Sequence, residues 1–255
     1  MLHLDRYSAC GDSGALGPRL VLGVPAGALP RGDAHRVIPS AVLFDFDGTL
    51  ADSEPLITAS MIAALGQHGH DVTAEQVRDV FGPPLDVMLR VLAGDLSPAD
   101  LESIRVAYFE DYNGNQLPRI QPFDGAEALL DALEASNVAV ALVTNKIEAS
   151  AHRQLEAMHW QERFALVVGA DTTGLAKPAA EPALYALERL GVAPERAAFV
   201  GDQDPDVACG LAAGIPMVVG VAIGRSAESL TAAGATHVAR DLHEVRALLL
   251  ESAGG

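Results

Sequence analysis

Two aspartates one residue apart, Asp45 and Asp47, stand at the end of an unbroken apolar run, Ala41 to Phe44. Such a run reads as a strand buried on both faces, the kind found in parallel sheets. Side chains two apart on a strand share a face, so both carboxylates can point the same way if the strand geometry persists that far. Gly48 then permits a turn that a residue with a Cβ would resist. Carboxylates at the end of a buried strand cost free energy to desolvate unless a cation meets them. Two readings stand at this point: the acids face water in an ordinary loop, or they hold a metal.

Other polar residues end other apolar runs. Thr144 follows Val138 to Val143, Lys177 stands before Pro178 downstream of Ala165 to Val168, and Gly201-Asp202 with Asp206 follows Ala197 to Val200. Each alone has a plain structural explanation: a helix cap, a solvated loop residue, a turn. Lysine usage adds a hint, because fifteen arginines accompany only two lysines, Lys146 and Lys177. A coding bias explains the imbalance, yet the two lysines mark places where a compact ammonium is not interchangeable with a planar guanidinium.

The elements that would position these residues alternate from Phe123 onward. Asp124 with Glu127 has the spacing of a helix cap, opening a helix to Ser136. Strands at Val138 to Val143, Ala165 to Val168, Ala197 to Val200, Met217 to Val221 and Thr236 to Ala239 are separated by helical stretches, several closed by glycine. This rhythm predicts an α/β fold built on a doubly wound parallel sheet. Ligands in such sheets bind beyond the carboxyl ends of the strands, where strand order reverses. Asp45 and Asp47, Thr144, Lys177 and Asp202 with Asp206 each follow one of these strands, and that coincidence points to a site.

Residues 55–121 contain no strand pattern and predict an inserted all-helical cap domain. Pro55 suits a helix start, Thr73 with Gln76 is a capping box, Ser97 with Asp100 opens a further helix, and Asn113-Gly114-Asn115 ends it. Phe81-Gly82-Pro83-Pro84 breaks the block, either as a loop entering the site or as an interhelix turn. The core domain is expected over residues 40–54 and 122–255. Residues 1–39 are punctuated by glycine and proline and read as a flexible extension or an early start, with a strand at Arg19 to Val24 as the minor alternative.

Composition bounds the function. A net charge of −17 and the lack of a basic cluster argue against nucleic acid as a partner. Cys10 and Cys209 are isolated, indicating neither a disulfide framework nor a zinc site and fitting a reducing, cytoplasmic setting. No apolar stretch approaches the roughly 20 residues of a membrane span.

The set Asp45-Phe46-Asp47-Gly48-Thr49, Thr144, Lys177-Pro178 and Gly201-Asp202 with Asp206 resembles the haloacid dehalogenase superfamily, from about Ala41 to the C-terminus. Asp47-Gly48-Thr49-Leu50, Asp52-Ser53 and Val143-Thr144-Asn145-Lys146, with the helical block, look most like the phosphoglycolate phosphatase branch. Gln203 departs from the usual serine or threonine, and relatives often carry histidine near Ala179. The resemblance implies a Mg²⁺-dependent phosphomonoesterase, a monomer or homodimer acting on a small phosphorylated metabolite such as 2-phosphoglycolate.

In that resemblance Asp45 is the nucleophile that forms an aspartyl-phosphate, and Asp47 protonates the leaving group and then deprotonates water. A model aspartate has a pKa of about 3.9, so the acid role requires an upward push. Asp45, Asp202 and the Asp47 carbonyl hold the metal, while Asp206 steadies Lys177 or a metal-bound water. Thr144 and Lys177 serve the reaction, and Gly48, Thr49, Asn145 and Lys146 belong to the phosphate-binding end. A carboxylate near a phosphate dianion is repelled by about 4 kcal/mol per charge pair at 4 Å with an effective dielectric of 20, which explains the need for cations. Arg78, Arg90, Arg105 and Arg119 are the cap cations that could meet a substrate carboxylate, although surface ion pairs explain most of them. The rivals are a phosphosugar mutase and a non-catalytic module retaining the fold. A phosphonate-cleaving relative needs a cap lysine and a dehalogenase lacks Asp47, so both fit poorly.

Overall fold

Six short apolar segments pair into one parallel sheet in the computed structural model, which describes residues 38–251. They are β1 (Ala41–Phe44), β2 (Ala139–Val143), β3 (Leu166–Val168), β4 (Ala197–Gly201), β5 (Met217–Val221) and β6 (His237–Ala239). The order β3-β2-β1-β4-β5-β6 puts β1 at the centre and reverses direction between β1 and β4. The doubly wound parallel sheet expected from the sequence is therefore the fold.

β1 is buried on both faces because its side chains enter two different cores. Val42 and Phe44 join Leu129, Leu142, Val200 and Val245 on one face. Ala41 and Leu43 join Leu187, Phe199 and Val207 on the other. Phe46 continues the first face, fully buried with its ring edge-on to Trp160 at 6.4 Å. Period-two alternation then leaves Asp45 and Asp47 together on the other side of the chain. Burying an aromatic ring of this kind stabilises by about 1.5–3 kcal/mol, so Phe46 fixes the direction of both acids.

The helices are α1 (Glu54–Gln67), α2 (Ala74–Asp79), α3 (Leu85–Ala93) and α4 (Pro98–Asp111) between β1 and β2, followed by α5 (Ala126–Ala135), α6 (Glu148–Ala157), α7 (Glu181–Leu190), α8 (Asp204–Ala212), α9 (Ala227–Ala232) and α10 (Leu242–Leu250). The chain leaving β1 and the chain returning from α4 run side by side, with Asp52 N donating to Gln121 O at 3.0 Å and Phe123 N to Leu50 O at 2.9 Å. The capping boxes behave unevenly. Thr73 and Gln76 close theirs reciprocally, and Ser97 accepts from Asp100 N. Asp124 does not cap α5: left-handed Gly125 takes the cap position without a side-chain bond, and Asp124 Oδ2 faces His243 Nε2 at 3.3 Å. Nor does Asn113-Gly114-Asn115 stop the chain winding, because residues 112–116 continue from α4 as a wide π turn into a short 3₁₀ turn. Asn115 Nδ2 donates to Asp111 Oδ1 at 2.7 Å and supports that turn.

No helix among the described residues is long and apolar enough to cross a membrane. The expectations for residues 1–39, including the alternative strand at Arg19 to Val24, lie outside the described residues except at Ile38 and Pro39.

Candidate active site

The strand ends converge at the reversal between β1 and β4, the usual ligand position in an open α/β sheet. Asp45 is the first residue beyond β1, held in line by its N–H donating to Val200 O at 2.9 Å. Thr144 is the first beyond β2, with its N–H on Val168 O at 2.9 Å. Asp202 follows β4 directly, and Asp206 lies in the first turn of α8. Lys177 reaches in from the loop after β3.

Lys177 ties the two sides together. Its Nζ lies 2.8 Å from Asp45 Oδ1 and 2.6 Å from Asp206 Oδ1, and it donates to Val143 O at 2.9 Å. Three partners match the three N–H bonds of an ammonium. Burial opposes the charge, yet the Asp206 and Asp45 carboxylates hold the Lys177 pKa well above its ordinary value. Asp45 is pushed up to about 7, chiefly by burial, with Asp206 and Asp47 adding to the push and Lys177 opposing it. Asp202 is also raised by burial and by Asp206 and Asp45, against the pull of Thr49 and Arg225. Burial, more than the neighbouring acids, makes the charged forms of Asp45 and Asp202 costly.

Removing the cation should be costly. Lys177→Met leaves Asp45 and Asp206 buried without their shared partner, a change in the class that costs about 3–5 kcal/mol. Urea unfolding of metal-free protein should show a midpoint lowered accordingly; an unchanged midpoint would mean that the ammonium does not hold the two acids together.

Asp202 is fixed from two directions. Thr49 Oγ1 donates to its Oδ1 at 2.9 Å, and Arg225 Nε stands 3.9 Å from Oδ2. Gly48 adopts φ +81°, and a Cβ there would lie 2.5 Å from Asp202 Oδ2. Thus Gly48 and Thr49 pack against Asp202, and neither lines the main cavity. Asp206 uses its second oxygen to accept from Gln203 N at 3.0 Å.

Asp47 occupies a separate polar cage. Its Oδ1 accepts from Ser53 Oγ at 2.5 Å and Gln154 Nε2 at 3.0 Å, and Lys146 Nζ lies 3.1 Å from Oδ2. Gln154 also donates to Tyr112 Oη at 2.8 Å, and Lys146 stands over the Tyr112 ring at 5.3 Å. Burial would lower the Lys146 pKa, but Asp47, then Tyr112 and Tyr108, hold it well above the usual range. Lys146 thus meets Asp47 directly, while its N–H donates to Thr144 Oγ1 at 3.2 Å.

Asn145 links the site to the helical block. Its Oδ1 accepts from Lys177 N at 2.8 Å, and its Nδ2 donates to Lys177 O at 3.1 Å and to Gly82 O at 2.9 Å. The 81–84 loop therefore sits on the core and lines the cavity. Gly82 has φ +128°, and a Cβ there would stand 2.4 Å from Gln203 Oε1, so Gln203 fills the space beneath this loop. Of Arg78, Arg90, Arg105 and Arg119 in the helical block, Arg105 alone lines the cavity of about 440 Å³. Arg78 pairs with Glu54, Arg90 donates to Leu96 O, and Arg119 donates to Gln116 Oε1.

One carboxylate oxygen from each of Asp45, Asp202 and Asp206 lies within 4.8 Å of the others. Asp47's side chain is outside that group. Gln154 and Tyr112 are not among the candidates read from the sequence; Gln154 is a fully buried amide on the inward side of α6, beside Ala151 and Leu155, a placement that only the packed structure reveals.

The model for haloacid dehalogenase-like hydrolases matches residues 42–220. A phosphoglycolate phosphatase from Xanthomonas campestris pv. campestris is 38% identical over 181 residues, covering 71% of this chain and 82% of the relative. An N-acetylmuramic acid 6-phosphate phosphatase from Pseudomonas aeruginosa is 34% identical over 176 residues, covering 68% and 78%. Among solved structures, a predicted phosphatase from Clostridium acetobutylicum superposes with a TM-score of 0.75 at 27% identity, over 84% of this chain and all of that one.

Proposed function

The chain belongs to the haloacid dehalogenase-like hydrolase family, and from that premise we propose that it hydrolyses a small phosphomonoester through an aspartyl-phosphate on Asp45, with Mg²⁺ as cofactor. The observation that carries the reading is the junction of Asp45, Asp206 and Lys177 within 2.8 Å at the sheet's reversal point.

The residues fit the metal. The cluster offers carboxylate oxygens and neither sulfur nor imidazole, which suits a hard divalent cation. Burial that raises both Asp45 and Asp202 is relieved when positive charge enters. Asp45, Asp202 and the Asp47 carbonyl would hold Mg²⁺, with Asp206 behind them on Lys177. Bound there, the ion would neutralise the approach of a carboxylate to a phosphate and polarise the phosphoryl oxygens.

In the first step an Asp45 oxygen bonds to phosphorus as the ester P–O bond breaks, and Asp47 delivers a proton to the leaving oxygen. In the second, Asp47 takes a proton from the water that attacks phosphorus, and the Asp45–phosphorus bond breaks. Thr144 accepts from Lys146 N, which leaves its own hydroxyl proton to donate to a phosphoryl oxygen. Lys177 stays protonated throughout, fixed by Asp206 and Asn145.

Hydrolysis of p-nitrophenyl phosphate tests this directly. Turnover should appear with Mg²⁺, vanish in excess chelator and return on adding the ion back, and bound Mg²⁺ should raise Tm. At a hundred times Kd the stabilisation is about 2.7 kcal/mol. Equal turnover in chelator would overturn the metal-dependent reading. The 2-phosphoglycolate-like substrate expected from the motif resemblance agrees with the name of one relative, while another is named for N-acetylmuramic acid 6-phosphate, a far larger sugar ester.

A further inference from the structure

The cavity has a mixed lining. Asp45, Asp47, Thr144 and Lys177 come to it from the sheet's strand ends and the loop after β3, and Phe81, Pro83, Pro84, Leu85, Met88 and Phe109 from the helical block between β1 and β2. The cations of the lining each stand beside an acid: Lys177 beside Asp45 at 2.8 Å, Lys146 beside Asp47 at 3.1 Å, and Arg105 beside Asp86 and Glu102 at 3.3 Å each. Asp86 and Asp171 border the same space. A leaving group with its own carboxylate would meet acids there and would have to compete with Asp86 and Glu102 for Arg105, whose Nε is buried without a hydrogen bond.

Size points the same way. The cavity of about 440 Å³ is measured with the 81–84 loop seated on Asn145 at 2.9 Å, so it is not the space of a lifted loop. At about 30 Å³ per water, it has the volume of some fifteen waters. A two-carbon phosphoacid would fill a minor part and leave the apolar wall wet.

We infer that this site selects phosphomonoesters whose leaving group is about the size of a sugar and presents an apolar face, such as an acylated hexose phosphate, over small carboxylate-bearing phosphoacids. The inference rests on the phosphomonoesterase reading above and names its substrate class. Phe81, Leu85, Met88 and Phe109 would cover the apolar substituent, while Asp45, Asp47, Thr144 and Lys177 handle phosphorus. Burial of apolar surface supplies the discrimination.

The test compares kcat/KM of the full chain with Mg²⁺ on N-acetylglucosamine 6-phosphate, phenyl phosphate and 2-phosphoglycolate. Both esters with an apolar group should exceed 2-phosphoglycolate at least about tenfold, or about 1.4 kcal/mol in transition-state binding. Leu85→Ser and Phe109→Ser, each at a half-buried position, should narrow that ratio by raising KM for the apolar esters. Damage to the fold would instead lower all substrates together and leave the ratio unchanged. A 2-phosphoglycolate value equal to or above the others would overturn the inference and leave the phosphatase reading intact. Failure of wild-type protein to hydrolyse any of the three, or p-nitrophenyl phosphate, would overturn that reading and this one with it.

Discussion

Asp45→Asn should lower kcat on p-nitrophenyl phosphate by at least about 10⁴-fold, the scale seen when a covalent nucleophile is removed. The amide is isosteric, so Lys177 keeps Asp206 and Val143 O as partners and the fold should survive. The variant should form no phosphoryl-enzyme detectable by intact mass. A pH signature accompanies the loss. In metal-free protein Asp45 titrates near 7, against 3.8 for the unperturbed group, chiefly because burial disfavours its charge. The folded chain then binds the extra proton between those values, so this group's stabilising contribution is present below about pH 4 and is lost as pH rises through about 7. Wild type minus variant should therefore lose stability across that window in chelator. Residual turnover within tenfold of wild type would remove Asp45 from the nucleophile's role.

The strand ends were legible because their physics is local. An apolar run such as Ala41 to Phe44 declares burial on both faces, and a carboxylate following it declares where burial stops. Parallel pairing then brings Asp45, Thr144 and Asp202 together at the carboxyl ends of neighbouring strands without further information. Lys177 was harder, separated from β3 by a loop, and stood out through lysine scarcity and the family resemblance. The cage around Asp47 was not legible as a cage. It joins Ser53 at the start of α1, Tyr112 beyond α4 and Gln154 on α6, residues brought together only by packing of the helical block on the core.

Side-chain identity also misled where backbone geometry decided. Asp124 has the type and spacing of a cap, but the turn into α5 needs a left-handed residue, and Gly125 supplies it at φ +85°. Asn145 bonds the backbones of Lys177 and Gly82, contacts that no residue pattern encodes. Those bonds tie the 81–84 loop and the backbone of Lys177 to one side chain.

Asp47→Asn should separate the two halves of the reaction. The substituted amide retains an oxygen that can accept from Ser53 and Gln154, so the side chain should stay in its cage. It cannot deliver or remove a proton, and loss of a positioned acid–base group costs about 10²–10⁴-fold. With p-nitrophenolate, a good leaving group that needs little protonation, the first step should persist while the attack of water stalls. Mixing enzyme and substrate should release close to one equivalent of phenolate and then stop, with the phosphoryl group remaining on Asp45. An ester with a poor leaving group should show no such burst, because its departure needs the missing proton. The variant also leaves Lys146 facing an amide instead of a carboxylate, so Asp47→Asn should be compared with Lys146→Met at the same Mg²⁺ concentration. If loss of that ion pair alone were responsible, Lys146→Met would also trap the phosphoryl-enzyme; if Asp47 carries the proton, Lys146→Met should turn over repeatedly. Full turnover by Asp47→Asn would assign proton transfer to another group.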